Sequence, residues 1–170
     1  MNFKWNADFN VIFAAPASGK STMARKYDNV VDIVGSRYKF LDYIPGNEET
    51  KELECRQKNP DYPNNYLSAI VEAAKNKDNL LLLPLGKSVN DGLIQKLHKK
   101  GLRFAIAFMI DLQDVEKAMR ERGNVDDWVK RILGGYEDNV KTASELATEV
   151  ITIQKGQHLE DALVEYLKSQ

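Results

Sequence analysis

The residues of this chain best suited to chemistry are Gly19, Lys20, Ser21 and Thr22, inside the tract FNVIFAAPASGKSTMARKY that runs from Phe9 to Tyr27. A glycine turn, an ammonium and two hydroxyls in succession suit a chain of phosphates. Backbone N–H groups at such a loop and at the start of the following helix hold phosphate oxygens, and the helix dipole adds to the attraction. The Lys20 ammonium would reach the β- and γ-phosphates, and the Ser21 hydroxyl would ligate Mg²⁺. The wrapping loop would be Ala15, Pro16, Ala17, Ser18, Gly19, Lys20, Ser21 and Thr22. The bland alternative is that Ser18 caps a helix with no ligand nearby.

That chemistry needs a strand before the loop and a helix after it. Val11-Ile12-Phe13-Ala14-Ala15 is a short apolar run of strand length, and Pro16 and Gly19 break the chain after it. Met23, Ala24 and Tyr27 then mark the apolar face of a helix. One departure stands out. The full pattern has glycine five residues before Gly19, where this chain has Ala14. An added methyl resists positive φ and blocks close approach of backbone to ligand.

Asn29–Val34 reads as a second short strand, with Asp32 at or near its C-terminal end, where α/β sheets place ligands. Three readings of Asp32 stay open: a general base for a substrate hydroxyl, a support for hydrated Mg²⁺, or a solvated loop carboxylate. The apolar run NLLLLPL, residues 79–85, reads as a central parallel strand. It ends in Pro84 and Leu85, so the acidic partner that usually shares Mg²⁺ with a phosphate loop is missing there. Asp111 reads as a helix N-cap.

The remaining pattern is strand and helix in alternation. A helix is expected over 62–75, another over 88–99 closed by Gly101, and a strand over 103–110. A charged helix follows to about Arg122. A longer one from about Asp126 should weaken or kink at Gly134-Gly135. A strand at EVITI, residues 149–153, and a helix over 159–167 close the chain. Residues 36–62 have weak periodicity, with a short polar helix expected over 47–58. Tyr38, Phe40, Tyr43 and Tyr62 recur in that stretch, suited equally to gripping a nucleobase and to capping the core.

The chain has 170 residues, 43% hydrophobic and 29% charged, which predicts a single domain with its own core. A formal net charge of −1 gives no reason to expect extended nucleic-acid or membrane binding. The lone cysteine, Cys55, fits a reducing cytoplasm, and only His98 and His158 are present, which argues against a histidine metal site or a Ser-His-Asp triad. No apolar run is long enough to span a membrane. A cytoplasmic location is therefore expected.

Strand–helix alternation around such a loop predicts a three-layer α/β/α P-loop NTPase fold with a five-stranded parallel sheet. APASGKST, Asp32, and FMIDLQDVEKAMRERGN followed by DWVKRILGGYEDNV together resemble the nucleoside and nucleotide kinase branch of P-loop proteins. That branch writes its loop GxPGSGKST, so Ala17 replaces a second glycine. The tract KNPDYPNNYLSAI, with Asp32 and Ser36 upstream, resembles small kinases of bacteriophages and prophages more narrowly. The resemblance implies a substrate-side insertion over about 36–66 and a lid over about 119–136. It implies Arg120, Arg122 and Arg131 as lid arginines; a guanidinium fork suits the negative charge that spreads over a transferring phosphoryl group. Lys20 and Asp32 complete the catalytic set. The expected activity is ATP- and Mg²⁺-dependent phosphoryl transfer to a small acceptor, a nucleoside or nucleotide. The alternatives are a nucleotide-binding module with little or no transfer, and a polynucleotide 5′-hydroxyl kinase.

Overall fold

The computed structural model of the chain describes residues 1–42 and 57–170. Tyr43, Cys55 and most of the polar helix expected over 47–58 lie outside the described residues. Five strands, β1 (Val11–Ala14), β2 (Val30–Asp32), β3 (Leu80–Pro84), β4 (Ala105–Met109) and β5 (Glu149–Ile153), form one sheet in the order β2-β3-β1-β4-β5. All its pairings are parallel. Consecutive parallel strands need crossovers, and among the described residues eight helices accompany them: α1 (Lys20–Lys26), α2 (Ser36–Lys39), α3 (Asn64–Ala74), α4 (Leu85–Asn90), α5 (Leu93–Lys99), α6 (Leu112–Glu121), α7 (Asp126–Leu146) and α8 (Leu159–Lys168).

The sheet is apolar on both faces, which is why its central strands read as unbroken runs. Alternation within each strand then divides the core. Ile12, Ala14, Leu80, Leu82, Ala105 and Ala107 face a layer built on α1, α6, α8 and the first half of α7. Val11, Phe13, Leu81, Leu83 and Ile106 face α3, α4 and α5. Leu80 to Leu83 have no exposed surface, so trimming one of them to alanine would cost about 2–5 kcal/mol.

The elements differ from the sequence pattern in three places. The helix expected over 88–99 starts earlier, at Leu85, and breaks in two because Gly92 takes φ 75°. The long helix is not interrupted at its glycine pair: α7 runs through Gly134 and Gly135 for 21 residues. Two glycines cost a helix about 2 kcal/mol relative to alanine, and burial of Val129, Tyr136 and Ala143 along one stripe outweighs that. The second strand is shorter than expected, and Asp32 is its last residue.

Before β1, the N-terminal segment contributes aromatic packing that no periodicity announced. Trp5 stacks on Tyr166 of α8 with ring centroids 6.0 Å apart, and its indole N–H donates to the Phe9 carbonyl at 2.6 Å. Asn29 clamps the same segment from the far side, accepting from the Phe3 amide at 2.7 Å and donating to the Phe3 carbonyl at 2.9 Å.

Candidate functional site

The loop between β1 and α1 is held at both ends by backbone pairing. The Ala15 amide donates to the Ala107 carbonyl at 2.9 Å, which prolongs the β1–β4 pairing past the strand. The Leu159 amide donates to the Ser18 carbonyl at 2.8 Å and ties the loop to the start of α8. Ser18 is buried and is not the helix cap. Its hydroxyl turns back to the Ala15 carbonyl at 2.7 Å, and the cap position belongs to Gly19 at φ 114°, with no side-chain cap bond. The first amides of α1 are therefore not consumed by a side chain of their own cap.

The two alanines that depart from the P-loop pattern fare differently. Ala14 lies inside β1 and its methyl is part of the core, so the strand never asks for glycine there. Ala17 takes φ 56°, the left-handed region. That conformation costs an L-residue about 1–2 kcal/mol, so here the methyl is strained.

Lys20 is half-buried at the start of α1. Burial lowers its pKa; the Asp32 carboxylate opposes that shift and the Arg122 guanidinium adds to it. Asp32, at the end of β2, stands beside the loop from the other side: the Ser21 hydroxyl lies 3.4 Å from its Oδ2. Two hard oxygen donors, one from the first turn of α1 and one from the end of β2, thus meet beside an ammonium. β3, which lies between β2 and β1, contributes no carboxylate there and ends in Pro84 opposite Ala14.

A cleft of about 610 Å³ opens over the loop. Its floor is Ala17 to Thr22, with Arg25 at the edge; one wall is α6, through Asp114, Lys117 and Arg122. The opposite wall is the turn from Gln154 to His158 between β5 and α8. Sequence reading missed that turn. It is polar and without periodicity, and only its position after the last strand hinted at a role. It is nonetheless ordered internally: the Gln154 amide donates to Gln157 Oε1 at 2.9 Å, and Gln157 Nε2 donates to Glu165 at 2.7 Å. Below it, Glu160 joins α8 to α1, accepting from Lys26 at 2.9 Å and from the Tyr27 hydroxyl.

The three candidate arginines separate. Arg122 lines the cleft and its charge is felt at Lys20. Arg120 points elsewhere, pairing with Glu116 at 3.1 Å and Asp126 at 2.9 Å. Arg131 lies over the Trp128 ring, 5.9 Å from its centroid, on the solvent side of α7. Asp111 accepts from the Gln113 amide at 2.9 Å and caps α6.

On the other side of Asp32 the described tyrosines pack on one another. Tyr66 stacks with both Tyr38 and Tyr62, with centroid distances of 5.2 and 6.3 Å. Of the two roles open to Tyr38 and Tyr62, this geometry is that of core capping. Ser36 is buried at the start of α2, 3.3 Å from the ammonium of Lys87.

A five-stranded parallel sheet in this order, layered by helices and carrying a Gly-Lys-Ser-Thr loop between its central strand and the next helix, is the three-layer α/β/α P-loop NTPase fold. Among the described residues, no group of three or more His, Cys, Asp or Glu side chains could hold a metal ion, and no helix is long and apolar enough to cross a membrane. No protein-family profile matches the chain, and no curated protein matches it. Among solved structures, a gluconokinase from Sinorhizobium meliloti 1021 aligns with 93% of this chain and 88% of its own, at 18% identity and a TM-score of 0.45.

Proposed function

We propose that the protein transfers the γ-phosphoryl group of ATP to a small acceptor, a nucleoside or a nucleotide. The observation that carries this reading is the meeting of Ser21 and Asp32, 3.4 Å apart, beside Lys20 at one end of a cleft that also holds Arg122.

The oxygen donors fit Mg²⁺, which takes few protein ligands and keeps several waters; bound there, it would offset negative charge on the phosphate chain. The chain's own residues do the rest. Loop amides from Ala17 to Thr22 hold the phosphates, since the Ala15 amide is taken by the Ala107 carbonyl and Pro16 has none, and Lys20 spans the β- and γ-phosphates. Arg122 faces the same space from α6, where a guanidinium can grip the oxygens on which charge develops. When the acceptor is a hydroxyl, its oxygen bonds to the γ-phosphorus as the bridging P–O bond breaks. The electron pair leaves with ADP, and Asp32 takes the proton. When the acceptor is a phosphate, Asp32 serves only as support for the metal.

Arg120 and Arg131 belong to this reading only if they leave Glu116, Asp126 and Trp128. Their present engagement, and the absence of a carboxylate at the end of β3, favour the second reading, a nucleotide-binding module with little transfer. The narrower likeness to small phage kinases rests on Lys58–Ile70, whose tyrosines are taken up in packing.

A thermal-shift screen of nucleoside triphosphates with and without Mg²⁺, followed by a product assay on the hits, tests the proposal. The acceptor panel holds nucleosides, monophosphates and a 5′-hydroxyl oligonucleotide. ATP with Mg²⁺ is expected to raise the melting temperature, and a phosphorylated product to appear. Absence of any shift removes the nucleotide reading; tight binding without product selects the module.

A further inference from the structure

β2 is three residues long, lies at the edge of the sheet and pairs with β3 alone. A strand that short gives little restraint to the turn leaving its end, yet Asp32 is its last residue. Tyr66 of α3 bonds to that turn. Its ring is 1% exposed, and its hydroxyl donates to the carbonyl of Ile33, the residue after Asp32, at 2.6 Å. A phenylalanine would fill the same volume without the cost of burying a hydroxyl. The buried phenol is therefore best understood through the bond it makes.

The ring is itself fixed from several sides. It lies so close to the backbone of the turn that a Cβ on Gly35 would stand 3.2 Å from Tyr66 Cε1. Tyr38 and Tyr62 stack on it, each at 20°. The Tyr62 hydroxyl donates to Asp91 at 2.6 Å, and Lys39 reaches the same carboxylate at 3.4 Å. Asp91 ends α4, so the stack is anchored to an element on the far side of the turn.

We infer that Tyr66 is a positioning residue, holding the Ile33 carbonyl so that the Asp32 carboxylate stays within reach of Ser21. The inference rests on the kinase reading of Asp32 and adds to it the residue that sets where Asp32 stands. Burial, with the Tyr62 and Asp32 charges adding, keeps the Tyr66 phenol protonated well above its ordinary range, so the donor persists at any working pH.

A double-mutant cycle on phosphoryl transfer tests it. Tyr66→Phe keeps the stacked ring and removes the donor. It is expected to lower kcat about 10–100-fold while the KM for ATP stays within about threefold. In an Asp32→Asn background the same substitution is expected to cost less than about twofold, because the group it positions is gone. Equal losses in both backgrounds, or a Tyr66→Phe enzyme within twofold of wild type, would overturn the inference. If Tyr66→Phe fails to fold, Gly35→Ala, which pushes on the same ring, is expected to show the same dependence on Asp32. If wild type binds ATP without transferring it, the cycle is read on the Mg²⁺-dependent gain in ATP affinity by calorimetry. That gain should fall in Tyr66→Phe and not fall further in the double variant; additivity again overturns the inference. Wild type that binds no triphosphate at all overturns the kinase reading, and this inference with it.

Discussion

Tyr136 makes two hydrogen bonds to one residue: its hydroxyl accepts from the Met109 amide at 2.9 Å and donates to the Met109 carbonyl at 2.8 Å. Met109 is the last residue of β4, and Tyr136 lies midway along α7. Burial raises the Tyr136 pKa to about 12, with the Met109 backbone bond acting the other way. The hydroxyl keeps its proton, and its donor bond, throughout the neutral range. The pair fixes where α7 sits against the C-terminal end of β4. Any part of the 119–136 segment that moves must therefore move N-terminal to this point.

The phosphate loop gives the first prediction. ATP with Mg²⁺ at 100 times its Kd should add about 2.7 kcal/mol to stability, roughly 5–10 °C in melting temperature for a chain of this size. Lys20→Met should remove most of that shift.

The same substitution carries a pH signature. Burial lowers the folded-state pKa of Lys20 below 10.5, so between the two values the unfolded chain binds more protons than the folded one. Stability supplied through this group therefore rises with pH across that window and is at its lowest below it. Ligand-free Lys20→Met should be more stable than wild type at pH 7, and the gap should narrow toward pH 10. Chemical denaturation of both proteins at the two pH values reads this; a gap that widens would refute it.

Ala17 offers a test of strain. Replacing alanine by glycine ordinarily loses about 0.5–1 kcal/mol through the unfolded chain. At φ 56° the relief of about 1–2 kcal/mol works the other way. Ala17→Gly should therefore gain about 0.5 kcal/mol, and Ala17→Val should lose more than 1 kcal/mol because a β-branched residue fits that region worst. Urea denaturation distinguishes these signs.

Much of this was legible in the sequence, for local reasons. Strand β5 falls on EVITI as expected, and α8 runs one residue past its apolar pattern, because both are amphipathic over their full length. The phosphate loop and Asp32 could be placed because the loop follows a strand and Asp32 ends one. The arginines could not be ranked. Composition makes Arg120 and Arg122 equivalent, but a helix turns about 100° per residue, so two positions two apart point about 200° from each other. Only one of them can face the loop, and which one depends on how α6 is rolled against β4. Val115 and Met119, both fully buried, set that roll. The second wall, Gln154–His158, is held by side chains bonding within and just beyond the turn, a kind of order that leaves no periodic trace.

That rotation yields a ranking. Arg122→Ala should lower kcat by about 10²–10³, in line with loss of one donor to a developing charge, with a smaller effect on ATP binding. Arg120→Ala should change kcat less than about threefold, since its guanidinium already serves Glu116 and Asp126. Steady-state kinetics on the two variants, with Arg131→Ala expected between them, decides the order. An Arg120 effect as large as that of Arg122 would mean that the corner rearranges when ATP binds.

The last expectation concerns that corner. Met119 and Val129 are fully buried and Tyr136 is pinned to Met109, so a lid spanning all of 119–136 would have to expose three core contacts at once. Between the first two lie Arg120 to Trp128, mostly exposed, with Gly123 at φ 91° and Val125 61% exposed. The ion pairs there, Arg120–Asp126 and Lys130–Asp126, join surface groups and restrain little. The mobile part should therefore be the short α6–α7 corner, closing toward the phosphates through Arg122. Amide hydrogen exchange with and without a non-hydrolysable ATP analogue reads this residue by residue. Protection is expected to rise over 120–128 and in the phosphate loop, and to stay level from 129 to 146. A rise extending through Tyr136 would show that α7 moves as a whole. No rise over 120–128 while the phosphate loop becomes protected would leave Arg122 a surface charge.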